Sequence, residues 1–394
     1  MTPAARSQAA VDLLDRIITA AREGGAAADT LIARWFAERR YAGSKDRRAI
    51  RELVYDAIRL CGERPESGRA AMVALARTRP ELGATFDGSS YGPAALEDAE
   101  PVAAAGVLPA WLRKRFAQSG LGDAEQVALL ERAPLDIRLN RLKPDSDSLA
   151  GALAGAVPIA HVPDALRLPG DTSLERLPAY AEGLFEIQDA GSQMVTAAGG
   201  ARPGMKVVDL CAGGGGKTLT LAAAMANQGS ILATDIDRAR LSRLAPRAER
   251  AGVTIAETRL LDPGCEGKRL SDWHGAADLV LIDAPCSGTG TWRRNPEARW
   301  RLTDARLKRL TQTQAALIDI GAALVASGGT LVYIVCSLLD AEGADQVAGF
   351  LERHRDWQAV RPALDAGRPR GEGVRLTPLH DDTDGFFVAK LVRA

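Results

Sequence analysis

The chain has 394 residues, 46% hydrophobic and 25% charged, the balance of a folded globular protein long enough for two or three domains. Fifty Lys plus Arg stand against fifty Asp plus Glu, so the formal net charge is zero and any basic surface for an anionic partner is local. The most apolar stretch, 322–339, is interrupted by Ser327-Gly328-Gly329, and Asp12 and Asp15 punctuate the first amphipathic run, so neither a membrane span nor a secretory leader is expected.

In chain order the expected elements begin with helices. Between Ala4 and Leu60 apolar residues recur at helical spacing, as in Val11, Leu14, Ile18 and in Leu53, Ala57, Leu60, with Gly24-Gly25 and Tyr41–Lys45 as breaks, which predicts three helices. Helical pattern returns in 69–79, 109–118 and 124–133, while the Gly- and Ser-rich 83–93 reads as a loop. From 135 to 186 it shortens to strand-like runs at 136–140, 158–161 and 165–168 around a helical 145–156, a small α/β insert. From Gly204 onward, strand-like 206–210, 230–234, 258–261, 277–282 and 330–335 alternate with helical 217–226, 238–251 and 303–326, which predicts a parallel sheet with helices on both faces. In the tail, 374–379 and 385–392 flank an Asp-rich turn and should pair as an antiparallel hairpin.

Ligands bind an open parallel sheet beyond the carboxyl ends of its strands, so the residues after each strand matter most. After the first come Asp209-Leu210-Cys211-Ala212-Gly213-Gly214-Gly215-Gly216-Lys217-Thr218, a Gly loop that opens a helix and admits a ligand close to the backbone. The loop is no Walker motif, because Cys211 occupies the first glycine position, and no GxGxxG, whose third glycine would fall on Thr218 or Leu219. Asp235 ends the second strand, where a carboxylate either accepts ribose hydroxyls or caps a helix. Asp262 follows the third strand, as an adenine-side ligand or a turn residue.

The fourth strand runs into Asp283-Ala284-Pro285-Cys286-Ser287-Gly288-Thr289-Gly290, where Pro285 disfavours helix and leaves a loop presenting Asp283 and Cys286. The fifth ends in Val335-Cys336-Ser337. If 303–326 is a crossover helix, the two strands are neighbours and the cysteines converge. One such cysteine reads as a buried filler; two at strand ends, one beside an Asp, point to reactive thiols. With Cys61, Cys211 and Cys265 the cysteines number five and none pairs at CxxC spacing, so neither a disulfide framework nor a metal site is expected, and a reducing cytoplasmic compartment is. His161, His274, His354 and His380 read as structural or surface residues.

These residues resemble the RNA cytosine-5 methyltransferases of the NOL/NOP/Sun type, and within them the bacterial branch acting on small-subunit ribosomal RNA. The resemblance covers nearly the whole chain. Asp209–Thr218 is similar to the family's S-adenosylmethionine loop, Asp283–Gly290 to its Pro-Cys motif and Val335-Cys336-Ser337 to its Thr-Cys-Ser motif, with further matches at Phe185–Gln193 and Asp384–Ala389. The N-terminal helices, with Gly43–Arg48, resemble a NusB-like RNA-binding domain. The resemblance implies an all-α NusB-like region over 1–125, a small α/β subdomain over 126–185 and, over 186–394, an α/β Rossmann-like S-adenosylmethionine-dependent methyltransferase domain.

It also implies a mechanism. Cys336 adds as a thiolate to carbon 6 of cytosine, which makes carbon 5 nucleophilic towards the methyl group; Cys286 assists proton loss and enzyme release, and Asp283 binds the base near N3 and its amine. Implied cofactor contacts are Cys211, Ala212, Gly213, Gly214, Gly215, Gly216, Lys217, Asp235, Arg240, Asp262 and Asp283. The implied partner is RNA, ribosomal RNA first, with no membrane and no metal, and the chain is expected as a monomer. A tRNA methyltransferase and a non-catalytic ribosome-assembly factor remain as alternatives. Two positions depart from the usual motifs: Gly213-Gly214 stand in place of Ala-Pro, and Val335 in place of Thr.

Local charge agrees with an RNA partner. Arg293, Arg294, Arg299, Arg301, Arg306, Lys308 and Arg309 interleave with Trp292 and Trp300, a composition suited to phosphate contact and base stacking. Arg39, Arg40, Lys45, Arg47, Arg48 and Arg51 form a second basic cluster.

Overall fold

The computed structural model describes residues 1–143, 149, 151, 153–170 and 172–393 and divides into two compact units, Met1–Arg132 with Thr291–Asp304, and Ala133–Gly290 with Ala305–Ala394. The first unit is helical: α1 (Pro3–Glu23), α2 (Ala28–Glu38), α3 (Ser44–Leu60), α4 (Gly68–Thr78), α5 (Pro80–Gly83), α6 (Ala110–Gln118) and α7 (Asp123–Ala128). Thr2 caps α1 by accepting the Ala5 N–H, Pro3 occupies the first helical position, and Gly24 ends the helix with φ 78°. Leu13, Leu14 and Ile17 of α1, Ile32 and Trp35 of α2, and Ile50, Val54 and Ile58 of α3 form its core. The predicted break at Gly24-Gly25 and the helices expected over 4–60 and 69–79 correspond to α1–α3 and to α4, which starts and ends one residue earlier than expected. The helix expected over 124–133 stops at Ala128.

The Arg/Trp segment overturns one expectation. Thr291–Asp304 belongs to the helical unit, and its aromatic and cationic side chains are largely buried there. Trp292 is 0% exposed and lies 5.5 Å from the Phe116 ring, and Trp300 donates its indole N–H to the Cys61 carbonyl at 3.2 Å. Arg299, 0% exposed, donates to the carbonyls of Ile58 at 2.6 Å and Cys61 at 2.8 Å at the end of α3. Arg301 bridges the carbonyls of Gly25 and Ala26 at 2.8 and 2.6 Å. These guanidiniums cap carbonyls that helix ends leave without donors, so Trp292, Arg293, Arg299 and Trp300 present no stacking surface to RNA.

The second unit holds two sheets. The smaller is antiparallel in the order β2-β3-β1-β4, from β1 (Leu135–Leu139), β2 (Val157–Pro158), β3 (Ala165–Leu168) and β4 (Phe185–Ile187). The larger comprises β5 (Lys206–Leu210), β6 (Ser230–Asp235), β7 (Ala256–Leu260), β8 (Ala277–Asp283), β9 (Val325–Val335), β10 (Trp357–Val360), β11 (Arg368–Arg370), β12 (Gly373–Leu376) and β13 (Phe386–Arg393). Its order is β11-β12-β13-β9-β8-β5-β6-β7, with β10 paired to β13. Strands β7, β6, β5, β8 and β9 run parallel, and β13, β12, β11 and β10 add antiparallel. Alternate residues supply two buried faces: Val207, Ile231, Leu279 and Ile334 on one, Val208, Leu232, Val280 and Tyr333 on the other. Strand order reverses between β6 and β8 on either side of β5, which places the cleft above β5 and β8.

Some expected elements differ. The helix predicted over 238–251 is two pieces, Arg238–Leu241 and Leu244–Ala251, because Pro246 offers no N–H to the preceding turn and crowds it. The strand expected at 158–161 is only Val157–Pro158, since His161 turns back with φ 64°. β10 and β11, of four and three residues, are too short for a periodicity signal. Half of the helix expected over 145–156 lies outside the described residues. Among those residues no helix is long and apolar enough to cross a membrane.

The buried Arg299 generates a stability prediction. Replacing it with Met keeps volume but strips donors from the α3 carbonyls, which is expected to lower the unfolding free energy by about 3 kcal/mol, measured by urea titration of the full chain. Arg299→Lys should recover less than half of that, because an ammonium cannot reproduce the planar fork.

Candidate active site

The Gly loop leaves β5 by backbone turns that few side chains tolerate. Cys211 has φ 69°, Gly213 56° and Gly215 84°. A Cβ on Gly215 would lie 2.1 Å from Leu244 Cδ1 and one on Gly213 2.6 Å from the Arg240 guanidinium, so both positions need glycine. The Gly213-Gly214 pair is nonetheless held. The Gly213 N–H donates to Asp235 Oδ2 at 2.8 Å, and Arg247 donates to the Gly214 carbonyl at 2.6 Å. Arg247 is itself oriented by buried Glu186 of β4 at 2.9 Å, which also pairs with Arg250. The motif Phe185–Gln193 thus reaches the loop through Glu186, and through Gln188, which accepts from Thr220 and Arg138 at 2.9 Å each.

Asp235 is 5% exposed; besides Gly213 it accepts the Asp237 N–H at 2.7 Å, so it braces the loop while each oxygen keeps a lone pair. Ile236, next in sequence, is 54% exposed, a bare apolar side chain beside that carboxylate. Arg240 is exposed over Gly213, and Asp262 is exposed at the end of β7, paired with Arg269 at 3.3 Å.

Charge concentrates where β5 meets β8. Lys217 donates to Asp283 Oδ2 at 2.7 Å and sits 5.7 Å from the Phe386 ring centre. Burial works against its charge, but attraction to and hydrogen bonding with Asp283 outweigh burial and raise its pKa. Asp209, fully buried in β5, accepts from Thr218 Oγ1 at 2.6 Å, while its other oxygen has no partner among the described residues. Burial is the main cause that pushes its carboxyl up to about 7.

The cysteines meet because β8 and β9 are neighbours in register, Asp283 opposite Ile334, joined by the crossover helix Asp304–Leu324. Cys286 Sγ and Cys336 Sγ lie 3.3 Å apart, both half-buried. The contact with Cys336 and then burial hold the Cys286 thiol well above its ordinary value. Val335 packs in the buried face of β9 opposite Phe387 of β13. Cys211 is in the left-handed conformation, and burial pushes its thiol up. Sequence reasoning missed Glu342, a fully buried carboxylate that binds the loops after β8 and β9.

A family model described as 16S rRNA methyltransferase RsmB/F matches residues 200–392. The protein named "Probable ribosomal RNA small subunit methyltransferase B" in Synechocystis sp. is 38% identical over 306 residues, covering 73% of this chain and 67% of that protein. The chain belongs to the 16S rRNA methyltransferase RsmB/F family. Its class is therefore RNA methyltransferase. The ribosomal RNA small subunit methyltransferase B of Citrobacter koseri is 35% identical over 293 residues, 72% of this chain and 66% of that one, so the match spans about two thirds of the relatives' length. Among solved structures, that of PH0851 aligns over 100% of this chain and 99% of its own with a TM-score of 0.76 and 25% identity.

The buried Asp209 predicts a pH dependence of stability. Raised above the ordinary carboxylate value, it favours the folded state fully below pH about 4, and that contribution is lost as pH rises towards about 7. Asp209→Asn keeps an oxygen for Thr218 and does not titrate. Relative to wild type, its stability is expected to increase between pH about 4 and 7 and stay constant above, by a few kcal/mol on the order of magnitude, read from urea midpoints.

Proposed function

We propose that this methyltransferase transfers the methyl group of S-adenosylmethionine to carbon 5 of a cytosine in RNA, small-subunit ribosomal RNA first, through a covalent adduct on Cys336. The observation that carries the reading is the 3.3 Å approach of two thiols at the ends of adjacent parallel strands, beside the Lys217–Asp283 pair. The cofactor fits the residues present: a loop backbone open at Gly216, the Asp235 carboxylate with free lone pairs for ribose hydroxyls, and the exposed apolar Ile236 next to it. Cys211–Lys217, Asp235, Arg240, Asp262 and Asp283 would hold it, and when bound it supplies an electrophilic methyl group.

The chain's own residues do the rest. The Cys336 thiolate forms a bond to carbon 6, and the double-bond electrons move to carbon 5. Asp283, ion-paired with Lys217, accepts a hydrogen bond from the exocyclic amine of the base, beside N3. The carbon 5 electron pair forms the new carbon–carbon bond as the sulfur–methyl bond breaks. Loss of the carbon 5 proton to a water molecule, assisted by Cys286, then re-forms the double bond and expels Cys336 as a thiolate. The Cys286 thiol, 3.3 Å away, donates to the departing sulfur and stabilises it as a thiolate.

Carbons 5 and 6 are buried in a stacked duplex, so the target base must be unstacked or flipped. An RNA partner is supported by exposed Arg40, Lys45, Arg48 and Arg51 in the helical unit, together with Tyr41, 72% exposed, and by exposed Arg306, Lys308 and Arg309 on the crossover helix. Arg39 and Arg47 of the second cluster instead lie over Trp35 and Phe36.

The test is transfer of a labelled methyl group to unmodified ribosomal RNA and to bulk tRNA by wild type, Cys286→Ala and Cys336→Ala. Transfer to small-subunit RNA is expected, with both variants reduced by at least about 1,000-fold and a stable protein–RNA adduct only in Cys286→Ala. Preference for tRNA would move the substrate assignment, and cofactor binding without transfer to either RNA would favour a non-catalytic binding protein.

A further inference from the structure

We propose that Glu342 is a positioning residue of the two-cysteine centre: one buried carboxylate clamps the loop after β8, the loop after β9 and the crossover helix, and so sets the thiols face to face. This rests on the two-cysteine reading above and extends it to a residue six positions beyond Cys336, in the 3-10 turn Asp340–Glu342.

Its bonds reach both sides of the site. Oε1 accepts the Ser287 N–H at 2.8 Å and Gln314 Nε2 at 3.0 Å; Oε2 accepts the Ser337 hydroxyl at 2.6 Å and the Ser287 hydroxyl. Gln314 also donates to the Pro285 carbonyl at 2.9 Å, so Cys286 is gripped on either flank. Ser337 directly follows Cys336, whose carbonyl accepts the Gly290 N–H at 3.0 Å, and Thr289 Oγ1 accepts the Leu338 N–H at 2.9 Å. The backbone of Glu342 is fixed too, its carbonyl accepting the Tyr333 hydroxyl at 2.7 Å from β9 itself.

Burial argues that this is more than packing. Glu342 is 0% exposed, and its side-chain partners, Ser287, Gln314 and Ser337, are all neutral. A buried polar group is costly unless its hydrogen bonds are made, and a fold needing only volume there would be served by an apolar residue. What the Glu342 side chain provides is two oxygens that each accept two hydrogen bonds, which fixes the direction of three donor side chains and one N–H at once. Among the described residues none of these side chains bonds to the cofactor loop Cys211–Lys217, so the clamp serves the thiols and not the cofactor.

The test uses the full chain and the variants Glu342→Ala, Glu342→Gln and Ser337→Ala. The first readout needs no RNA: the rate at which diamide closes a Cys286–Cys336 disulfide, followed by peptide mass spectrometry, reports how closely the thiols are held. The others are kcat and KM for methyl transfer, affinity for S-adenosylhomocysteine, and the thermal midpoint. In Glu342→Ala disulfide closure is expected to slow at least about tenfold and kcat to fall about 100-fold, with KM and cofactor-product affinity within about twofold. Glu342→Gln, whose amide oxygen keeps the Ser287 N–H and Gln314 bonds, should recover about tenfold of the lost kcat. Should Glu342→Ala not fold, Ser337→Ala removes a single hydroxyl and is expected to show the same split between kcat and KM. Disulfide closure at the wild-type rate in folded Glu342→Ala or Ser337→Ala would overturn the proposal, as would a parallel fall in cofactor-product affinity and thermal midpoint. Failure of wild type to methylate any RNA would instead remove the proposed activity, and the disulfide rate would still decide the role of Glu342.

Discussion

The in-register parallel pairing of β8 and β9 is the constraint from which the site follows. With Ile282 opposite Tyr333 and Asp283 opposite Ile334, the two strands end side by side. The crossover helix Asp304–Leu324 precedes β9, and its Gln314 also braces the loop that leaves β8. Cys286 and Cys336 then converge, the one register shift of this pair lying at the far end, between Ala277 and Leu279, and Lys217 arrives from the helix after the neighbouring β5 to meet Asp283.

The second theme is charge kept away from water and balanced locally. Lys217 and Asp283 pair at the mouth of the cleft, and the carboxylate offsets the burial of the ammonium. Asp209 lies deeper with an unpartnered oxygen and a carboxyl pushed up to about 7, so its ionisation at neutral pH costs stability. Glu342 solves the same difficulty differently, with donors on both oxygens. Each of these groups sits under a strand end or the loop that follows it, where the fold delivers ligands.

Much of this could be read from the chain because the chemistry lies where strands stop. Asp235, Asp283, Cys286 and Cys336 each follow an apolar run that announces its own end, and the Gly loop is recognisable from glycines that its positive φ angles require. The break in the helix over 238–251 was also written in the sequence, as Pro246. Other features had no local signal. Glu342 meets Ser287 across 55 positions and Arg247 meets Glu186 across 61, and neither pair leaves a spacing pattern. The segment around Trp292 and Arg299 misled for a different reason. Guanidiniums and indoles suit phosphates and bases, but they equally suit the bare carbonyls at helix ends, and only burial across 241 positions to Ile58 separates the two uses.

The most direct measurement is to incubate the wild-type chain and S-adenosylmethionine with small-subunit ribosomal RNA carrying 5-fluorocytosine, whose carbon 5 cannot release a proton after methyl transfer, and to map the RNA-linked peptide by mass spectrometry. A linkage on Cys336, accompanied by a methyl group on the trapped base, is the predicted result. A linkage on Cys286, or methylated RNA with no linkage to either cysteine, would contradict the assignment of Cys336 as the nucleophile.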